Sequence, residues 1–461
     1  MKRNKWVIQA LMVGAMVGAA ETSFAGAFGL REQSATGQGL SFAGAASGGA
    51  GLGSMFWNPA TMTDYQGIQA SVTGSLILPY AKLDITSGSG LGYTAATAAG
   101  GSNSSGNEGM EALVPAGYFS WQINNSVWLG LSVNAPYGLA TKPDASWSGR
   151  YYNSTTSLRT LNITPTVAYK FNDAFSVAAG VSYMSLNARY TGAIPVVSAG
   201  PTVANPTTWP VLGMDGSGSA WGFTLGATFK PTTSTEIGLG YRSRMDVDLN
   251  GDFQAGGAYS ALATPVKASL PLPQSVNLGI KQIINPQWTI LAGLEWTNWS
   301  VLKSPTVINK NTGGVHGAFP TGIPFNYQDG WYASLGAEYN WSPNLTLRGG
   351  LGYEWSPVKD SERSVRLPDN DRLWTSLGLG YKLNDQLNLD FGYTHIFPKS
   401  TKVTINSANA NYKLSGNVGF DALFSNLNAN ADTHIDIISL GLTYRFDTPA
   451  KPAALPGKIV K

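Results

Sequence analysis

The feature that most limits how this chain can fold is a strict two-residue alternation whose ionisable members keep to one parity. Near the C-terminal end Ile438, Leu440, Leu442, Tyr444 and Phe446 alternate with Ser439, Gly441, Thr443 and Arg445. Ile237, Leu239 and Tyr241 alternate with Glu236, Gly238, Gly240 and Arg242, and the stretch from Leu345 to Glu354 repeats the pattern. Such a period marks strands with two different faces. Lys170, Lys230, Glu236, Arg242, Lys281, Glu295, Glu338, Arg348, Glu354, Lys382, Asp390 and Arg445 all fall on the polar parity. A Lys or Arg facing lipid near the midplane costs about 2–4 kcal/mol, so a lipid face excludes them. A soluble β-sandwich alternates in the same way with inside and outside exchanged, and the pattern alone does not separate the two. Aromatic strand ends and small Gly, Ser and Thr on the polar face favour a wet lumen.

About fourteen such segments run from residues 68–80 to 434–446, each long enough for the 9–11 residues of a tilted spanning strand. Short turns such as Asn124-Asn125, Asn172-Asp173, Asn285-Pro286 and Asn384-Asp385 alternate with long polar connections, the longest at 81–111 and 399–433. That asymmetry matches short periplasmic turns and long outer loops. Charged residues are only 12% of the chain and Gly numbers 55, as suits a wall with lipid on one side and water on the other. The net charge of +3 points to no nucleic acid.

Lys2, Arg3 and Lys5, the apolar run Val7 to Ala20, and Ser23-Phe24-Ala25 read as a secretory signal with a small-x-small cleavage site. No later run approaches the roughly 20 apolar residues of a spanning helix. Cysteine is absent, which excludes disulfides, thiolate metal sites and a thiol nucleophile. The expected division is a signal peptide at 1–25, an N-terminal hatch at 26–66, a transmembrane barrel at 67–446 and a flexible periplasmic tail at 447–461. Residues 26–66 break the alternation and are rich in Gly, Ala and Ser, with Phe28, Phe42, Phe56 and Trp57 among them. They read either as a disordered leader or as a plug inside the barrel, where irregular backbone avoids lipid.

Asn58-Pro59-Ala60 closes that stretch, just ahead of the first strand, and Gly26-Ala27-Phe28 begins it. Further on come Tyr137-Gly138-Leu139-Ala140-Thr141, Trp221-Gly222-Phe223, Tyr241-Arg242-Ser243 and Leu367-Pro368-Asp369-Asn370-Asp371-Arg372 with Trp374. In this order the motifs resemble the FadL-type outer-membrane transporters of long-chain fatty acids and other hydrophobic compounds. The resemblance implies an all-β transmembrane antiparallel barrel of about fourteen strands plugged by the N-terminal hatch. It implies passive uptake, with the ligand leaving sideways through a gap beside a kinked third strand. Asn134-Ala135-Pro136-Tyr137-Gly138 suits such a kink, because proline lacks the N–H and glycine is permissive. Equally, Pro136 could simply end the strand. The resemblance also implies that Asn58, Pro59 and Ala60 form the hatch side of the lateral gate and that Phe28 reaches into the ligand pocket. Met184, Leu186 and Trp128 are apolar members of the polar parity and are candidate pocket linings, or else packing against the hatch.

The sequence departs from the family where a carboxylate would be held. The family's Arg and Lys positions fall near Gly192 and near Ile323 or Pro324; Arg189 and Lys303 lie nearby, but Arg189 is on the lipid-facing parity. A carboxylate buried without a cation loses its charge-assisted hydrogen bonds. Long-chain fatty acids therefore share the field with neutral hydrocarbons, alkanes or monoaromatics, taken up by the same route. A general porin, an adhesin and an outer-membrane enzyme are the weaker alternatives. His316, His395 and His434 have no neighbours in sequence that suggest a triad or metal site. The expectations are no metal, no cofactor and no catalysis. Expected partners are outer-membrane lipid and lipopolysaccharide, a hydrophobic ligand, and the barrel-assembly machinery and periplasmic chaperones, which would read Phe446. The chain is expected to be a monomer in the outer membrane of a Gram-negative bacterium.

Overall fold

Every strand of the wall is joined to the next in sequence, and the last returns to the first. A computed structural model describes residues 27–193, 209–317, 322–413 and 426–447. The expected signal peptide lies outside the described residues, as does the tail beyond Asp447. Fourteen strands close one antiparallel barrel. They are β1 (Ile68–Ser89), β2 (Ala112–Gln122), β3 (Val127–Asn134, resuming at Gly138–Thr141), β4 (Thr155–Lys170) and β5 (Phe175–Ala193). Next come β6 (Val211–Thr232), β7 (Thr235–Arg242 and Met245–Ala255), β8 (Thr264–Leu272 and Ser275–Ile283), β9 (Trp288–Thr297) and β10 (Gly330–Ser342). The wall ends with β11 (Leu345–Trp355), β12 (Arg372–Lys382), β13 (Leu387–Pro398) and β14 (Asn426–Arg445). β14 pairs with β1 from Gln69↔Arg445 to Ser89↔Asn426, so no edge is left to lipid.

The short turns share one device. The Asn124 side-chain oxygen accepts from the backbone N–H groups of Ser126 and Val127, and Asn172, Asn285 and Asn384 repeat this at their own turns. Asn mimics a backbone turn in this way, which is why it recurs at each reversal. Among the described residues no helix is long and apolar enough to cross a membrane.

Leu377 and Leu440 are 66% and 64% exposed while their neighbours Ser376 and Ser439 are buried. The apolar parity therefore faces outward, and the polar parity faces a filled interior. Burying serines and exposing leucines is stable only where the surroundings are lipid. At the outer end Leu83, Trp147, Tyr152, Val365, Val403 and Leu427 form a second apolar core within the long loops.

The interior is filled by residues 27–66. They contain one short helix, α1 (Ala35–Gln38), capped by the Ser34 hydroxyl, followed by 3-10 turns at Ala45–Ser47, Gly51–Phe56 and Pro59–Asp64. Of the two sequence readings, the plug is the one observed. Wall glycines on the inward parity let its backbone touch the strands. A Cβ on Gly240 would lie 2.8 Å from the Trp57 carbonyl carbon, and one on Gly279 2.7 Å from the Ser47 nitrogen. Hydroxyl and amide groups do the fastening: Ser41 to Ser376 at 2.7 Å, Gln38 to Thr394 at 2.5 Å, and the Tyr332 and Tyr118 hydroxyls to the carbonyls of Ser41 and Gln33.

Candidate functional site

Beside the plug the ladder between β2 and β3 is interrupted. β2 and β3 pair from Gln122↔Trp128 up to Gly117↔Val133 and then part. The next contact across that seam is the isolated bridge Gly109↔Thr141. Residues 110–116 and 134–140 thus frame a window with no ladder between them. On its other side β3 pairs with β4 at Asn134↔Asn162 and again at Gly138↔Arg159. Three residues of β3 stand there against two of β4, so the strand carries a bulge. Pro136 has no N–H to give, and Tyr137 takes its partner from a side chain. The Thr160 hydroxyl accepts from the Tyr137 N–H at 3.0 Å and donates to its carbonyl at 2.7 Å. An extra residue that bends a strand and ends its pairing is a bulge's usual effect.

The plug occupies the edge that β2 leaves free. Leu30 N–H donates to the Pro136 carbonyl at 2.8 Å, Gly138 N–H to the Phe28 carbonyl at 2.9 Å, and the Gln33 amide to the Ala135 carbonyl at 2.9 Å. Residues 28–30 act there as a short substitute strand. Phe28, 2% exposed, stacks edge-on against Trp299 at 4.8 Å and Tyr137 at 6.1 Å. Ala27 N–H donates to Asp369, a loop carboxylate also bonded by the Ser356 hydroxyl and paired with Arg372.

Behind this edge lies a chamber of about 60 Å³ between plug and wall, lined by Leu30, Phe56, Tyr137, Arg242, Glu295 and Trp299 among others. Arg31 of the plug crosses it, pairing with Glu295 at 2.7 Å and Glu354 at 2.5 Å. Arg348 is held between Glu338 and Asp390, and Lys230 between Asp64 and Glu236. On the lipid side of the window an apolar groove of about 460 Å³ runs past Val72, Leu113, Pro115, Leu161, Leu440 and Leu442.

The residues singled out from sequence divide among these places. Ala135, Pro136, Tyr137 and Gly138 form the break itself. Phe28 is at the chamber, and Met184 and Leu186 are buried in the same apolar cluster. Trp128 packs instead with Leu52, Met55 and Met62 of the plug, its indole N–H on the Tyr65 carbonyl at 2.9 Å. Asn58, Pro59 and Ala60 do not meet the break. The Asn58 amide donates to the Ala46 carbonyl at 2.7 Å and the Ala227 carbonyl at 2.9 Å, and its oxygen accepts from Ala60 N–H at 3.0 Å. With two of these bonds inside the plug and one to β6, Asn58 fastens the plug, and the residues at the window are Phe28 to Gln33. Beside Gly192 the Arg366 Nη1 donates to the Thr191 carbonyl at 2.8 Å. The His395 partner was missed: β13–β14 register sets it opposite Asp436, which it meets at 2.7 Å. Among the described residues no cluster of side chains suits a metal.

Residues 16–446 match the family of outer membrane transport proteins described as OMPP1/FadL/TodX. The chain belongs to this family. Within it, the long-chain fatty acid transport protein of Escherichia coli K12 is 26% identical over 413 residues, covering 82% of this chain and 89% of the relative. Outer membrane protein P1 of Haemophilus influenzae Rd is 27% identical over a 474-residue alignment, covering 95% and 99%. Among solved structures, a Pseudomonas aeruginosa FadL homologue superposes with a TM-score of 0.77 at 23% identity, over 92% of this chain and all of the other (100%). The Ralstonia pickettii toluene transporter TbuX gives 0.60 at 18%, over 90% and 100%. These two likenesses establish the fold. Family membership places the protein in the outer membrane of a Gram-negative bacterium.

Proposed function

We propose that this protein takes up hydrophobic molecules passively, long-chain fatty acids first among them, and releases them sideways through the break in β3. One observation carries the reading: a window in the barrel wall is backed by a separable plug edge and opens onto an apolar groove in the lipid face. A greasy molecule reaching the chamber can then enter the bilayer without crossing the wet lumen, avoiding the cost of hydrating its apolar surface. Relatives named as long-chain fatty acid transport proteins support the substrate class. The aromatic lining of Phe56, Tyr137 and Trp299, with Phe28 packed against the last two, suits neutral hydrocarbons as well. Ionisable groups of the lumen are mostly used to hold the plug, which supports a transporter over an enzyme. Closure of the β1–β14 seam within one chain supports a monomer. We further infer that residues 1–25 direct export and that Phe446, whose N–H meets the Ile68 carbonyl, ends the signal read by the assembly machinery.

The test is uptake of radiolabelled oleate and of toluene in a Gram-negative host lacking its own transporters. The wild type should stimulate uptake, and Val114→Trp with Ala135→Trp, which narrow the window, should abolish most of it while the barrel still folds. Stimulation of neither compound by the wild type would refute the reading. Full uptake by the narrowed variant would refute the lateral path.

A further inference from the structure

Arg242 stands apart from the other cations around the plug. Arg31, Arg348, Arg372 and Lys230 are each matched by carboxylates. Arg242 forms no ion pair among the described residues. Its Nη2 donates to the Phe56 carbonyl at 2.8 Å, and its guanidinium lies 3.8 Å from the centre of the Phe56 ring. Its Nη1 is buried and has no hydrogen-bond partner. The chamber that this side chain lines also holds Tyr137 and Pro136 of the break. The two carboxylates of that lining are already bonded, Glu295 by Arg31 and the Thr297 hydroxyl at 3.1 Å and Glu354 by Arg31 and the Trp374 indole N–H at 3.2 Å.

An unmatched, desolvated guanidinium is costly, and such a group is normally paired. Here the missing partner has a place to sit. N–H donors suit a carboxylate oxygen, and the unpartnered Nη1 offers one. Phe56 lies beneath it and Tyr137 and Trp299 toward the window, their ring centres 6.0 Å apart, while Ser275, Asn277 and Thr297 add polar groups to the lining. A charged head at Arg242 would leave an alkyl tail to run along those rings toward the break.

We propose that Arg242 is the cation that receives the carboxylate of an amphiphilic ligand, in a chamber between plug and window. This rests on the uptake reading above and gives it a head-group site on β7. A neutral hydrocarbon can occupy the aromatic part of the same chamber but gains nothing from the guanidinium. The site therefore selects fatty acids over hydrocarbons of equal length.

The experiment measures binding of oleate and of oleyl alcohol, equal in chain length but uncharged, to the purified full-length protein in a non-ionic detergent. Wild type should bind oleate more tightly than the alcohol. Arg242→Gln keeps a polar side chain and loses the charge. It should weaken oleate about 10- to 100-fold, the value of a charge-assisted hydrogen bond, and leave the alcohol unchanged. Arg242→Lys should retain most of the preference, which guards against a variant that merely misfolds. Equal losses for both ligands, or no loss for oleate, would overturn the head-group assignment while leaving uptake intact. If wild type binds neither ligand, the uptake reading falls with it.

Discussion

Consider the replacement of Gly240 by alanine. Gly240 lies on the inward parity of β7, directly under the Trp57 backbone. The added Cβ would sit 2.8 Å from the Trp57 carbonyl carbon and 3.2 Å from Asn58 Cα, and closer still to the Trp57 carbonyl oxygen. Carbon atoms rest at about 3.5–4.0 Å, so the plug must retreat by roughly 1 Å. Overpacking of this kind costs about 1–3 kcal/mol. The retreat also pulls the Phe56 carbonyl from Arg242 at 2.8 Å, a charge-assisted bond worth about 1.5–3 kcal/mol. Together the change loosens the plug by about 2.5–6 kcal/mol, whereas the wall keeps its ladders and should still form. Planar-bilayer recordings should then show raised and fluctuating conductance, and cells should become sensitive to large antibiotics that the outer membrane excludes. Gly349→Ala is the control, because a Cβ there meets nothing within 4 Å. If Gly240→Ala conducts no more than Gly349→Ala, close backbone approach is not what seats the plug.

Arg31→Met should leave Glu295 without its ion-pair partner and Glu354 with the longer contact to Arg372 at 3.9 Å and the Trp374 indole N–H at 3.2 Å. Breaking a buried pair from one side costs about 3–5 kcal/mol, and proteolysis of residues 27–66 in the folded barrel should accelerate. Asn58→Ala removes three hydrogen bonds at once, for about 2–4 kcal/mol, and should raise conductance without lowering barrel yield. In the outer loops, burial pushes the Glu108 carboxyl well above its ordinary value near 4.5, against the pull of Asn153 and Arg366. The folded loop thus keeps this proton to higher pH than the unfolded chain, so its contribution is full below about pH 4.5 and is lost as pH rises. Glu108→Gln should match wild type in thermal stability near pH 4 and exceed it at pH 8; equal pH dependence in the two proteins would contradict this.

Sequence by itself determined the wall. Alternation is a local property, and the cost of a charge in lipid acts on each residue separately, so Lys230, Arg348 or Glu354 declares its face with no knowledge of its partners. The turns were legible for the same reason, since Asn124 or Asn384 bonds to backbone only two or three residues away. The kink at Pro136 was half legible: a missing N–H is written in the chain, but its reading as a bulge needed the count against β4. The plug was visible only as a place where alternation stops. What the tertiary structure decided was every pairing across the lumen. It put Arg31 between carboxylates 264 and 323 residues away, turned Asn58 from the window to β6, and left Arg242 without a counter-charge. No period or spacing encodes these contacts, because they depend on where a curved wall brings distant strands. The unmatched arginine on β7 reads in sequence like any other polar-parity residue, and only the closed barrel with its plug in place shows it facing the chamber.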